Sequence, residues 1–105
     1  VGMSEVWLRV VIYKSDSDNP EADEQYLKRA AQEAVRVYEK MDGCTLGYFG
    51  HDKRVGTMAA VTYWSSLEAI EASKPALKEL QQQRASEGVQ LVSESNFRLR
   101  EFKLD

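Results

Sequence analysis

The chain has 105 residues, 43% of them hydrophobic and 30% charged, with a formal net charge of −3. That length suits one compact domain over residues 1–105 and leaves no room for two. Folding at this size buries roughly 60–70% of the unfolded surface, which allows one core but little space for a deep site in a lone protomer.

The mild acidity excludes the basic stripe that nucleic-acid binding needs. Arg98-Leu99-Arg100 with Lys103 is the densest basic element, and Glu94, Glu101 and Asp105 balance it. Apolar runs such as Val10-Val11-Ile12 and Met58-Ala59-Ala60-Val61 fall far short of the about 20 residues of a membrane span, so no membrane partner is expected. No segment reads as a signal peptide. A single cysteine, Cys44, cannot form an internal disulfide and fits a reducing cytoplasm. Val1-Gly2 ahead of Met3-Ser4 read as an expression remnant and are left out of the fold reasoning.

Residues 5–13 are β-branched and aromatic and short enough for a strand, with Val6, Leu8, Val10 and Ile12 on one face and Trp7, Arg9, Val11 and Tyr13 on the other. Asn19-Pro20, followed by Glu21, Asp23 and Glu24, starts a helix with a capping side chain, a first-position proline and acids at the positive dipole end. Leu27, Ala30, Ala34, Val37, Tyr38 and Met41 carry it at helical spacing to Gly43. Residues 44–50 and 55–64 form an antiparallel hairpin connected at His51-Asp52-Lys53-Arg54. Ser65-Ser66-Leu67-Glu68 supplies a capping box for a second helix, which Ser73-Lys74-Pro75 interrupts and which ends before Gly88. The last strand falls best at Phe97–Phe102.

This order, β-α-β-β-α-β, is the ferredoxin-like α+β arrangement: a four-stranded antiparallel sheet with both helices on one face. The other face shows side chains from the set Trp7, Val11, Tyr13, Val61 and Tyr63, an apolar patch larger than monomers tolerate. A second sheet packed against it, hence a homodimer, is the simplest cover.

One histidine and one cysteine cannot build a soft-ligand metal site, and no Gly-rich phosphate loop precedes a helix, so neither metal nor cofactor is expected. His51 is a general base or ligand contact at a pocket mouth, or else a solvated turn residue. Cys44, opening a strand, reads as a buried inert thiol rather than a nucleophile. Trp64 either fills core or walls a pocket between sheet and helices. Tyr13, Tyr48 and Tyr63 share that ambiguity. Arg9, mid-strand between Leu8 and Val10, forms an ion pair or contacts an anion or carbonyl in a cavity.

The run Val61-Thr62-Tyr63-Trp64-Ser65-Ser66-Leu67-Glu68-Ala69, a strand ending in Trp before a small polar pair and an acidic helix start, resembles the antibiotic biosynthesis monooxygenase family of dimeric α/β barrels. Met41-Asp42-Gly43-Cys44 is similar to the family's Pro-Gly-hydrophobic segment, with Asp in place of Pro, and the likeness spans Val6 to Phe102. It implies a homodimeric barrel in which each protomer holds a small-molecule pocket, and cofactor-free oxidation of a small aromatic or quinol-type substrate by O₂. There the substrate anion itself reduces O₂, while the protein binds it, excludes water and stabilises charge. Trp64 matches the family position, and Arg84 corresponds to a late arginine of the second helix. Ala60 and Ile70 stand where polyketide-oxidising members carry Asn and Tyr. Haem-degrading relatives need an Asn on the first strand and a His on the second helix. Arg9 and Gln81-Gln82-Gln83 occupy those regions, so haem is not expected.

The resulting expectation is a monooxygenase with Trp64 walling the pocket, Arg84 or Arg9 stabilising an oxyanion, and Tyr48, Tyr63 or His51 relaying a proton. The alternative is a non-catalytic dimeric binding protein on the same scaffold, signalled by a pocket filled with Met58, Leu77 and Leu80.

Overall fold

The structure is a computed structural model and describes residues 5–100. Its elements are β1 (Trp7–Ser15), α1 (Pro20–Tyr38), β2 (Cys44–Asp52), β3 (Thr57–Trp64), α2 (Leu67–Ser86) and β4 (Val89–Arg98). The strands form one antiparallel sheet in the order β2-β3-β1-β4. With both helices on one face, this is the ferredoxin-like α+β fold.

Local chemistry sets the helix ends. The Asn19 side chain accepts from the Glu21 and Ala22 amides at 3.0 and 3.3 Å, and Pro20 occupies the first turn, where no amide hydrogen is needed. For α2 the cap is Ser66 rather than Ser65: its hydroxyl accepts from the Ala69 amide at 3.1 Å. α2 also runs unbroken through Pro75, against the expected interruption. Pro75 lies on the exposed side of the helix, where a freed carbonyl meets water, while buried Ile70, Leu77 and Leu80 hold the turns on either side to the core.

Three strand expectations also shift. β2 continues through His51 and Asp52, which pair with Met58 and Thr57, so His51 is a strand residue. The turn falls at residues 53–56, where the Gly56 amide donates to the Asp52 carbonyl at 3.0 Å and Gly56 takes φ +68°. β4 starts at Val89 and ends at Arg98, because β1 offers partners only from Ser15 back to Trp7. The remainder of the expected last strand, from residue 101 through Phe102, lies outside the described residues.

The sheet faces are also reassigned. Arg9 and Val11 are buried and pair with Thr62 and Ala60, placing them with Tyr13 and Trp7 on the helix side. Met58, Ala60, Thr62 and Trp64 are the buried, alternate residues of β3 on that same side. The open face carries Leu8, Val10 and Ile12 of β1 opposite Tyr63, Val61 and Ala59. Of the expected open-face set, Val61 and Tyr63 belong there, and Trp7, Val11 and Tyr13 do not. A strand exposing apolar groups on both faces gives no signal in its sequence as to which face meets the helices.

Of the glycines among the described residues, Gly43 is the most closely packed. It has φ +89°, and a Cβ there would lie 2.6 Å from the Ala69 Cβ and 2.9 Å from the Ser65 Oγ. Its carbonyl accepts from the Ser65 amide at 2.8 Å, fastening the α1–β2 connection to the start of α2. Gly43→Ala is therefore expected to destabilise the fold by about 2 kcal/mol or more, read as a lower urea midpoint at unchanged slope. An unchanged midpoint would contradict this packing.

Candidate active site

Between the helix-side face of the sheet and the two helices lies a cavity of about 40 Å³. Ala30 and Ala34 of α1 leave it open, Leu80 and Arg84 come from α2, and Met58 and Ala60 close it from β3. Tyr13, Tyr26 and Tyr38 also line it. Burial is the main cause that pushes all three phenols above their ordinary range, Tyr26 to about 12, so each is a neutral hydroxyl at physiological pH.

Two arginines are buried at this site. Arg84 donates through Nη1 to Glu33 at 3.0 Å and through Nη2 to the Ala30 carbonyl at 3.0 Å. Glu87 lies 3.5 Å from Nη1, and the guanidinium carbon sits 5.9 Å from the Tyr26 ring centre. Burial works against its charge, but the Glu33 bond and Tyr26 outweigh it and hold the guanidinium firmly protonated. Arg9 is 1% exposed. Its Nε and Nη2 both reach Glu94 Oε1 at 3.1 Å, and Nη1 donates to the Tyr38 hydroxyl at 3.2 Å. The second Glu94 oxygen accepts from Gln81 Nε2 at 3.3 Å, so one network joins β1, β4, α1 and α2.

Trp64 is 1% exposed, and its indole N–H donates to Thr62 Oγ1 at 2.8 Å. Its ring meets Tyr38 edge to face, with centroids 6.3 Å apart. Tyr38, not Trp64, forms the cavity wall, with Trp64 behind it. Tyr48 and Tyr63 pack against each other on the opposite face of the sheet, 6.4 Å between centroids, away from the cavity. His51 is on the helix side, paired with Met58, and both its ring nitrogens are buried without a partner. The fold therefore brings Arg9, Arg84 and Trp64 to one region and leaves Tyr48 and Tyr63 behind the sheet. Ala60 lines the cavity and Ile70 is fully buried, so neither position offers a polar group. Cys44 is partly buried, and burial pushes its thiol up, away from the reactive thiolate.

Two residues beyond the sequence candidates shape the site. Tyr38 and Tyr26 looked like ordinary helix residues, and only the i, i+4, i+8 line Tyr26, Ala30, Ala34 and its neighbour Tyr38 hinted at a face with small residues between two phenols. Among the described residues no group of three or more His, Cys, Asp or Glu is placed to hold a metal ion. No helix there is long and apolar enough to cross a membrane.

No family model matches the sequence, and the search of curated proteins returns no match. Solved structures do match. A monooxygenase from the gene ActVA-Orf6 of Streptomyces coelicolor, in complex with nanaomycin D, superposes with TM-score 0.73 at 15% identity, covering 97% of this chain and 94% of that one. MupZ from Pseudomonas fluorescens gives 0.69 at 14% identity, over 91% of this chain and 70% of that one. A protein assigned as an antibiotic biosynthesis monooxygenase from Bordetella bronchiseptica gives 0.67 at 10% identity, over 94% and 99%. The chain has the fold of the antibiotic biosynthesis monooxygenase proteins. At these identities the likeness concerns architecture, and the site stands on its own geometry.

The raised phenols give a pH dependence of stability. A folded-state pKa above the unfolded value near 10 means that the contribution is complete below pH 10 and is lost as pH rises towards about 12. The urea midpoint should hold steady to about pH 9.5 and fall steeply above pH 10. Tyr26→Phe should make that fall shallower, and an equally steep fall in the variant would count against the assignment.

Proposed function

We propose that the protein is a homodimeric monooxygenase that oxidises a small aromatic or quinol-type compound with O₂ and without a bound cofactor, in a cytoplasmic setting. The observation that carries this reading is Tyr38 at the wall of a largely apolar cavity, its hydroxyl held by the buried Arg9 guanidinium, which lies beyond the lining. A fixed cation and a neutral hydroxyl in a water-excluded site stabilise a phenolate or enolate far better than water-exposed groups do. Arg84 adds a second fixed positive charge, moderated by Glu33 and Glu87.

In the proposed reaction the substrate loses a proton to become an electron-rich anion held near these donors. That anion transfers an electron to O₂, and the resulting radical pair combines to a peroxide at ring carbon. The peroxide takes back a proton and loses water to leave a carbonyl there: one oxygen atom stays in the quinone, and the other departs as water with that proton and the hydrogen of the carbon. The chain's residues bind, orient and hold charge, while the substrate supplies the electrons. Trp64 supports Tyr38 from behind.

The fold family in which this chain's neighbours lie supports the reading, and so does the open sheet face. Leu8, Val10, Ile12, Val61 and Tyr63, with Tyr48 at 58% exposure, give an apolar surface that a second sheet would cover. Tyr48 and Tyr63 then serve the dimer contact. The second reading, a non-catalytic binding protein, is favoured by one observation: the inner cavity is small and Met58 and Leu80 line it.

One preparation tests both parts. Light scattering should give about 24 kDa, twice the 12.0 kDa chain, and Tyr48→Lys should shift it towards the monomer. An oxygen electrode with a panel of anthrones and hydroquinones should show uptake that Arg9→Met lowers at least tenfold in kcat. A dimer that consumes no O₂ with any of them would leave the binding-protein reading in its place.

A further inference from the structure

The inner cavity of about 40 Å³ does not admit an aromatic ring, since a cavity of about 150 Å³ is what accepts benzene. Room for a ring lies outside it, in a groove of about 290 Å³ between the end of α1 and β2 that is open to water at Glu39, Thr45 and Leu46. Tyr38 and Phe49 line both spaces and separate them. The cavity is the better shielded of the two. None of its lining residues is exposed, and Ala30, Ala34, Met58, Ala60 and Leu80 are buried.

A space of this size holds a water or a small apolar molecule, and the lining decides between them. A buried water needs two to four polar partners. The Tyr26 hydroxyl donates to Glu87 and the Tyr38 hydroxyl accepts from Arg9, both of which lie beyond the lining. Arg84 directs its guanidinium to Glu33 and the Ala30 carbonyl. Among the described residues the Tyr13 hydroxyl has no hydrogen-bond partner, so it is the one polar side-chain group at the lining left to meet an occupant. One group is too few to hold a water and leaves the space to an apolar guest.

We propose that this cavity is the site that takes dioxygen, apart from the space that takes the organic substrate. The inference rests on the monooxygenase reading above and adds the place of the second reactant. A diatomic apolar molecule fits where a ring does not, and it gives up no hydrogen bonds on leaving water. The Tyr13 phenol lies in the fields of both Arg9 and Arg84, so fixed positive charge acts on the same region. That charge favours superoxide once the substrate anion has passed its electron to O₂, and the Tyr13 hydroxyl is there to donate to it.

Dioxygen is paramagnetic and speeds the relaxation of the methyl protons it touches, which gives a test that needs no turnover. Under oxygen pressure the gain in relaxation rate at the Ala30, Ala34, Met58 and Ala60 methyls should be at least threefold that at the Ile70 and Leu77 methyls, which are as buried but do not line the cavity. Ala60→Val fills the space from β3 with a residue that suits a strand, and Ala34→Leu fills it from α1 with a strong helix former. Whichever of the two keeps the wild-type melting temperature should lose the excess gain. In the oxygen-uptake assay it should raise KM for O₂ at least fivefold while moving KM for the organic substrate less than twofold.

Equal gains at cavity and control methyls, or cross-peaks from a bound water to the Ala30 and Ala34 methyls, would overturn the oxygen site and leave the monooxygenase reading standing. Equal rises in both KM values would overturn the separation of the two reactants. Excess relaxation at the cavity in a protein that consumes no O₂ with any of the panel would overturn the monooxygenase reading and leave a gas-binding cavity in its place.

Discussion

A guanidinium in the middle of a central strand, 1% exposed, is a large electrostatic demand on a chain of this size. Arg9 lies on β1, flanked by β3 on one side and β4 on the other, with a helix layer above it. Water cannot reach it, so the protein must supply every compensating group. Glu94 does so from β4 and stays partly solvated itself, which lowers the cost of burying the pair. Gln81 then holds the carboxylate from α2, and Tyr38 meets the remaining edge of the guanidinium from α1. Both helices are thereby positioned over the sheet by groups that have to be there for the charge to be tolerated.

The site follows from that arrangement. Because Arg9 fixes the Tyr38 hydroxyl and Trp64 supports its ring, Tyr38 stands as a wall rather than as a mobile surface residue. On one side of it small residues, Ala30, Ala34 and Ala60, leave a narrow space, and on the other Gly47 leaves a wider one. Charge and volume are thus linked: the ion pair that holds the layers together also fixes the hydroxyl of the residue that lines both spaces. Arg84 repeats the pattern lower on α2, but Glu33, Glu87 and the Ala30 carbonyl engage it more completely. That leaves it better suited to bridging the helices than to meeting a ligand.

Much of this fold was legible in the sequence because its signals are local. Asn19-Pro20 and the alternation of β3 act within a few residues, and the element order follows from them. What was not legible depended on distant partners. Pro75 reads as a break, yet it sits on the side of α2 where a free carbonyl costs little. The first strand is apolar on both faces, so only its pairing with the buried residues of β3 shows that Val11 and Tyr13 meet the helices and Val10 does not. His51 looks like turn chemistry until Gly56 moves the turn past it. Of the site, Arg9 and Trp64 stood out as types unusual for their positions. Tyr38 did not, because its importance comes from a guanidinium 29 positions away in sequence.

The central claim is that the Arg9–Glu94 pair organises the layers, and a double-mutant cycle of Arg9→Met and Glu94→Leu in urea unfolding tests it most directly. Each single change should cost about 3 kcal/mol, because it leaves one partner without its charge, while the double variant should recover most of that loss. A coupling energy of about 2 kcal/mol or more is the predicted result. Additive costs, with the double variant as unstable as the sum of the singles, would contradict the account.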